Sequence, residues 1–475
     1  MNSQVRKYHP VFWIAAIAAI VVLIFAVVYF DLTRKIVTLA EQAESEKRFA
    51  DQAGYLTDLA GREPWRKEYL LEIANAYFLS GDFVKAVLWY EKSIHVKPLV
   101  FEDKFRYGRA LHELEKVDTV GLVFRELGSL PGRTNDEYYQ LVLSQRIIRD
   151  LEGAISTLKT WEKENNPTEP RLFYQLGLIQ AVLDPDSAKI PLLATSGMSP
   201  DFRTQLAPLL QILESTELNE DDRMFQTGQA LFDLRELDLA EIVFNQAVET
   251  SPGNWDAWAM LGQTRQMEGK DGYADLVKAL ELNPQSRLAR YFLAVYWREH
   301  GQVEISNKYL THLSEEEPAE SLWQVEQGKT AYSAGDISAS FEHFQAATVL
   351  DPFNVTNWQI LAEFCIGNGI DVDGVGESAV QKAVLLAPKD PISNDLMGWL
   401  LLTRSDFDNA AKFLRVAIEG DPAFARSRLH YGQALHGLGE LESAREQLRN
   451  AIALDPSGVV GLTAGRLLKQ NYRDE

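Results

Sequence analysis

The sequence has almost no cysteine. Cys365 stands alone among 475 residues, so no intrachain disulfide can form, and neither a CxxC metal knuckle nor a redox pair can be built. An excess of basic residues is missing as well: 47 Lys+Arg stand against 68 Asp+Glu, a formal charge of -21. Nucleic-acid binding draws on basic side chains that neutralise phosphates, and this chain has no Lys/Arg stripe to do so. A nucleic-acid partner is therefore not expected. The acidic balance attracts basic partners, although its commoner meaning is solubility. Low-complexity tracts are absent, and 46% hydrophobic residues suffice for a large core. Also lacking are a Gly-rich phosphate loop, a G-x-S-x-G elbow and an H-E-x-x-H pair. The histidines (His9, His95, His112, His300, His312, His343, His430 and His436) are scattered, mostly over helix surfaces and ends. Asp371-Val-Asp373-Gly374 lacks the alternating acidic ligands and closing Glu of a calcium loop, so it reads as a plain loop. Asp184-Pro-Asp186 reads as a turn, and Cys365, between Phe364 and Ile366, as a core residue. No catalytic residue, metal site or cofactor is expected, and the chain is read as non-enzymatic.

One long apolar run is present. Val11 to Phe30 carries no charge over twenty residues, which at 1.5 Å per residue is roughly 30 Å, the thickness of a bilayer's hydrocarbon core. Trp13 and Tyr29 near its ends, with Tyr8 just outside, suit an interfacial aromatic belt. A buried core helix would show a polar face. A cleaved signal peptide would show small residues at the cut, whereas Asp31-Leu-Thr-Arg34-Lys35 follows here. The run is therefore expected to stay as a transmembrane anchor inserted in the lipid bilayer. Arg6 and Lys7 flank it on one side, and Arg34, Lys35, Lys47 and Arg48 on the other, so the positive charges are nearly balanced. Because a basic tail is awkward to export, a single-pass plasma (inner) membrane protein with an extracytoplasmic array is the preferred topology.

After the anchor the chain repeats itself. Gly398, Ala410, Leu414, Ala417 and Pro422 recur as Gly432, Ala444, Leu448, Ala451 and Pro456, each displaced by 34 residues. The same frame fits from residues 67, 221, 287 and 321, with Ala74, Tyr77, Gly81, Ala86 and Tyr90 in the earliest of these. Small residues at the eighth and twentieth positions let two helices approach closely, and bulky ones between them fill the seam. Gly at the fifteenth position supplies a positive-φ turn, and Pro near the thirty-second ends the second helix. No single hairpin buries its apolar face, so neighbours must stack. Copies from 101 and 135 are degenerate, 255–286 is two residues short, and 355–390 is two residues long.

This pattern resembles the tetratricopeptide repeat family, W-x2-L-G-x2-Y then A-x3-F-x2-A then P. Trp258-Ala-Met-Leu261-Gly262 and Trp358-Gln-Ile-Leu361-Ala362 reproduce its opening. The resemblance implies an all-α fold, a right-handed superhelical solenoid of helix hairpins preceded by one transmembrane helix. The divisions expected are a tail at 1–10, the anchor at 11–30, and a juxtamembrane helix or degenerate first repeat at 31–66. They continue as an amino-terminal repeat block at 67–168, an irregular helical connector at 169–220, a carboxyl-terminal block at 221–458 and a capping helix at 459–475. In the connector only one helix, Leu172–Val182, is recognisable before Pro191, Gly197 and Pro200.

In this family the first helix of each repeat lines a concave groove. Its contact positions, carried over residue by residue, are Leu71, Asn75 and Phe78, then Phe225, Gln229 and Phe232, then Gln263 and Gln266. They continue as Tyr291 and Arg298, Lys329 and Tyr332, Asp395 and Trp399, and Gln433 and His436. Rings interleaved with amides suit an extended peptide or a partner protein, and also a glycan chain. For any single ring, packing between neighbouring first helices is an equally good account. A carboxylate clamp is not supported, because Leu71 stands where that clamp needs Lys. The resemblance thus implies a membrane-tethered interaction scaffold of bacterial type, serving envelope assembly, secretion or polysaccharide export. The alternatives are a cytoplasm-facing regulatory adaptor or a self-assembling stalk, and oligomeric state is open.

Overall fold

The computed structural model describes residues 10–130, 133–165, 168–456 and 458–472, with the side chains of 10–16 and of residue 201 excepted. Arg6, Lys7, Tyr8, the side chain of Trp13 and residues 473–475 of the expected cap lie outside the described residues. Among the described residues every regular element is a helix and none is a strand.

The apolar run is part of α1 (Pro10–Ser45), which turns back into α2 (Phe49–Arg62). Then follow α3 (Tyr69–Leu79), α4 (Phe83–Ile94), α5 (Phe101–Glu113), α6 (Val117–Leu127), α7 (Asn135–Ile147) and α8 (Leu151–Asn165). Three helices occupy the connector: α9 (Pro170–Leu183), α10 (Pro185–Met198) and α11 (Pro200–Glu214). Beyond it come α12 (Glu220–Asp233), α13 (Leu237–Thr250), α14 (Trp255–Met267), α15 (Tyr273–Leu282), α16 (Arg287–Glu299) and α17 (Val303–Glu316). The series continues with α18 (Ser321–Ser333), α19 (Ile337–Leu350), α20 (Val355–Asn368), α21 (Glu377–Leu386), α22 (Pro391–Thr403) and α23 (Phe407–Gly420). It closes with α24 (Ala425–Gly437), α25 (Leu441–Leu454) and α26 (Val459–Asn471). The chain divides into two compact units. One holds residues 1–123 together with 440–475, and the other holds 124–439.

Pairs such as α3–α4, α12–α13, α18–α19 and α22–α23 pack as antiparallel hairpins, and successive hairpins stack within each unit. The glycine at the eighth position is required by close approach. A Cβ on Gly228 or Gly328 would stand 2.6 or 2.5 Å from the ring of Phe244 or Phe344. At Gly398 it would meet Leu414 at 2.4 Å. These partners are the residues at the twenty-fourth position of the same repeat, and Phe244, Phe344 and Leu414 are all buried.

The hairpin turns carry a sharper signature than glycine. Positive φ occurs at Lys47, Gly81, Glu115, Arg149, Arg235, Gly269, Gly301, Gly335, Gly369, Ser405 and Gly439, the fifteenth residue of each repeat frame, and also at Asp371 within the long copy. Except after Gly439, the amide that follows donates back to the carbonyl five residues earlier, as in Asp82 to Tyr77, Glu236 to Leu231 and Asp406 to Leu401. This is a Schellman closure, which satisfies helix-terminal carbonyls and forces the left-handed residue whatever its side chain. The same turn at Lys47, with Arg48 donating to Ala43, gives α1 and α2 the geometry of a repeat although no glycine is present.

Two sequence expectations are corrected. The connector does not hold one helix followed by turns: Pro185 and Pro200 open α10 and α11 at the first helical position, where the missing N–H costs nothing. Asp184 joins α9 to α10 at φ -151, so this junction lacks the left-handed turn of the repeats. The run at Asp371–Gly374 is not a plain loop either. Val372–Gly376 forms one π-helical turn that absorbs the two extra residues before α21.

Candidate functional site

The first helices α18, α20, α22 and α24 are joined along one face by side-chain contacts between neighbouring repeats. Tyr332, 50% exposed, sets its ring edge-on to Phe364 at 5.8 Å and its hydroxyl toward Asn368 at 3.4 Å. A Cβ on Gly367 would lie 3.3 Å from the Trp399 ring, so the indole rests on bare backbone. Trp399 also stacks on His430, with ring centroids 5.4 Å apart. Arg426 ties Glu363 on α20 to Asp395 on α22, each at 2.7 Å. Lys329 pairs with Glu326, which also accepts from Arg298 of α16. Gln433, half-buried, follows His430 by one turn on α24. The result is a strip in which the partly exposed rings of Tyr332 and Trp399 rest on the buried rings of Phe364 and His430, bordered by ion pairs.

The other expected contact residues are placed differently. Asn75 donates to Asp103 at 2.9 Å and accepts from the Tyr90 hydroxyl at 2.6 Å, so both ends of its amide are engaged. It nevertheless lines a cavity of about 580 Å³ with Glu41, Glu44, Glu72 and Arg106. Phe78 packs edge-on to Phe83. Phe225 sits 6.0 Å from Phe244, and Phe232 packs on the same core, so both serve the seam of α12–α13. Gln229 is half-buried beside them. Tyr291 packs against Trp323, and burial pushes its hydroxyl up to about 12. Gln263 has its side-chain oxygen enclosed without a hydrogen-bond partner, and so are both amide atoms of Gln266. The structure thus gathers Tyr332, Trp399 and Gln433 and leaves the remaining seven as seam or separate positions. Glu363 and Arg426 stand at the ninth and second positions of their frames, but Gly367 and His430 have no groove signature in the sequence. His430 is buried against Asp395 at 3.0 Å.

Two buried carboxylates organise the electrostatics. Burial alone would raise the Asp395 carboxyl, but His430 and Arg426 outweigh it and hold it below its ordinary value. Burial would likewise raise Glu241, yet Lys270, Arg265 and Arg149 bring it down to about 2. Arg149 belongs to the α7–α8 turn, and its neighbour Arg146 bonds Glu236 and Asp238 at 2.6 and 2.5 Å. These pairs join α7 to the start of α13, residues some ninety positions apart in the chain. Cys365 is buried and burial pushes its thiol up to about 11, which disfavours the thiolate a nucleophile needs. Among the described residues no group of three or more His, Cys, Asp or Glu could hold a metal ion.

Residues 396–459 match the tetratricopeptide repeat family model. A peroxisomal targeting signal receptor from Pichia angusta is 42% identical over 64 residues, which is 13% of this chain and 11% of that relative's length. Yeast Tom70 superposes over 94% of this chain and 89% of its own at TM-score 0.42 and 18% identity. PilF from Pseudomonas aeruginosa covers 45% of this chain and 96% of its own at TM-score 0.37 and 17% identity. The family match on 396–459, together with the hairpins and glycine seams that recur at the same spacing along the chain, identifies these units as tetratricopeptide repeats.

Proposed function

We propose that the chain is a membrane-tethered scaffold that holds a partner protein or peptide along the strip on α18, α20, α22 and α24. The observation that carries this reading is the strip itself: Tyr332 and Trp399 bridge neighbouring first helices while keeping part of their rings open to a ligand. Rings supply stacking area, and the flanking Lys329 and Glu363 offer charges that a peptide can pair with. Holding rather than catalysis is the role these groups suit. The tether is α1, whose apolar window is only 6% buried, unlike the core helix of a soluble protein. The same helix continues to Ser45 and buries Ile36, Ala40 and Ala43 against α2, which ties the anchor into the first hairpin. We place the array outside the cytoplasm, on account of the basic tail, in envelope assembly, secretion or polysaccharide export. The blocks at 67–168, 169–220 and 221–458 and the cap at 459–475 belong to the same proposal.

A photo-crosslinking residue at Tyr332, compared with one at Val349 on α19, tests the site in the full chain. Partner adducts should form from position 332 and vanish when Lys329→Ala and Gln433→Ala are added, since both side chains lie outside the buried core. Equal adducts from the two positions, or adducts indifferent to those changes, would remove the strip as the binding site.

A further inference from the structure

We infer that the loop at residues 63–68 is a second membrane contact, with Trp65 seated in the headgroup layer of the bilayer that α1 crosses. This rests on the proposed anchor. The helix α1 leaves the apolar run at Phe30 and climbs to Ser45, and α2 returns beside it for a comparable length, roughly 20 Å at 1.5 Å per residue. The return is fixed in register, because the Tyr29 hydroxyl donates to the Arg62 carbonyl at 2.5 Å. Tyr29 belongs to the last turn of the apolar run, two residues before the first charge, Asp31. The end of α2 is thereby pinned level with the edge of the hydrocarbon core. Trp65 follows three residues later and is 67% exposed.

The loop is not loose. Glu63 donates its amide to Leu59 and accepts from Arg66, and the buried Tyr69 donates its hydroxyl to the Glu63 carboxylate at 2.9 Å. An indole held outward on a closed loop loses little freedom on entering a headgroup layer, and its apolar body with one N–H suits that layer. The loop is net neutral, Glu63 and Glu68 against Arg66 and Lys67, and Arg66 pairs with both carboxylates. The contact is therefore driven by the indole and is insensitive to lipid charge. One helix alone leaves the first hairpin free to tilt about it, whereas two contacts fix which side of that hairpin faces the bilayer.

Depth measurement on the full chain in phosphatidylcholine vesicles tests this. Cys365 is buried, so single nitroxide labels can be placed at Pro64→Cys, Val22→Cys and Val349→Cys without removing it. Oxygen and nickel-chelate accessibility should place label 22 in the hydrocarbon, label 64 at the headgroups and label 349 in water. Adding Trp65→Ser to the label-64 chain should raise nickel accessibility several-fold. Label 64 reading like label 349 while label 22 stays deep would overturn the loop contact and leave the anchor standing. Label 22 reading as aqueous would overturn the anchor and the loop contact together.

Discussion

At Ser405 the backbone adopts φ 58, a conformation that L side chains resist by roughly 1–2 kcal/mol. The turn imposes it through the Asp406-to-Leu401 hydrogen bond, so glycine would relieve the strain at a smaller entropic cost of about 0.5–1 kcal/mol. Ser405→Gly should therefore stabilise the folded chain by about 0.5–1 kcal/mol in denaturant titration; an unchanged or lower midpoint contradicts the account. Asp395 makes a pH-dependent prediction. Its folded value lies below the ordinary 3.8, so its pairing stabilises fully above that pH and is lost as pH falls through the folded value. The melting difference between the wild-type chain and Asp395→Asn should be constant near neutrality and shrink below about pH 4. A difference that grows with acid would mean that the carboxylate is not stabilised by His430 and Arg426.

At the scale of elements, the contact between α7 and α13 is electrostatic. Arg146 is 6% exposed and faces Glu236 and Asp238, so Arg146→Ala leaves carboxylates near a desolvated gap. Removing one partner of a buried pair costs about 3–5 kcal/mol. Because Asp238 is 37% exposed, the lower end applies. Hydrogen exchange should show faster amides at the start of α13, with the α18–α19 hairpin unchanged. The seam of each hairpin is legible in the sequence because small residues at fixed spacing have one packing use, as Gly228 and Gly398 show. Lys47, Glu115, Arg149, Arg235 and Ser405 hide their turns, since hydrogen bonding and not residue preference sets their φ. The connector is hidden for another reason: proline ends one helix and begins the next equally well, so Pro185 and Pro200 read as breaks. The strip is half legible. Its rings stand at expected positions, but whether a ring serves a seam, as at Phe225, or an open face, as at Tyr332, depends on its neighbours in space.

At the scale of the whole molecule, the unit that holds α1 also holds the last helices. Arg449 pairs with Glu46, and Lys469 with Asp51, both at 3.2 Å. Such partly exposed pairs are worth about 0.2–1 kcal/mol each. Removal of residues 459–475 deletes the Lys469 pair and should thus speed exchange at the Lys47–Asp51 turn by up to about fivefold while the α12–α13 hairpin is unaffected. Equal loss of protection in both places would show that the two units melt as one.

That shared unit has a consequence for synthesis. The helices α1 to α5 emerge from the ribosome before residues 124–439, yet their unit is completed only by α25 and α26. Contacts so distant along the chain form late, although the added closure entropy grows only with the logarithm of the intervening length. Until the final helix arrives, the turn at Lys47–Asp51 stands open, so a prematurely terminated chain displays an unfinished surface.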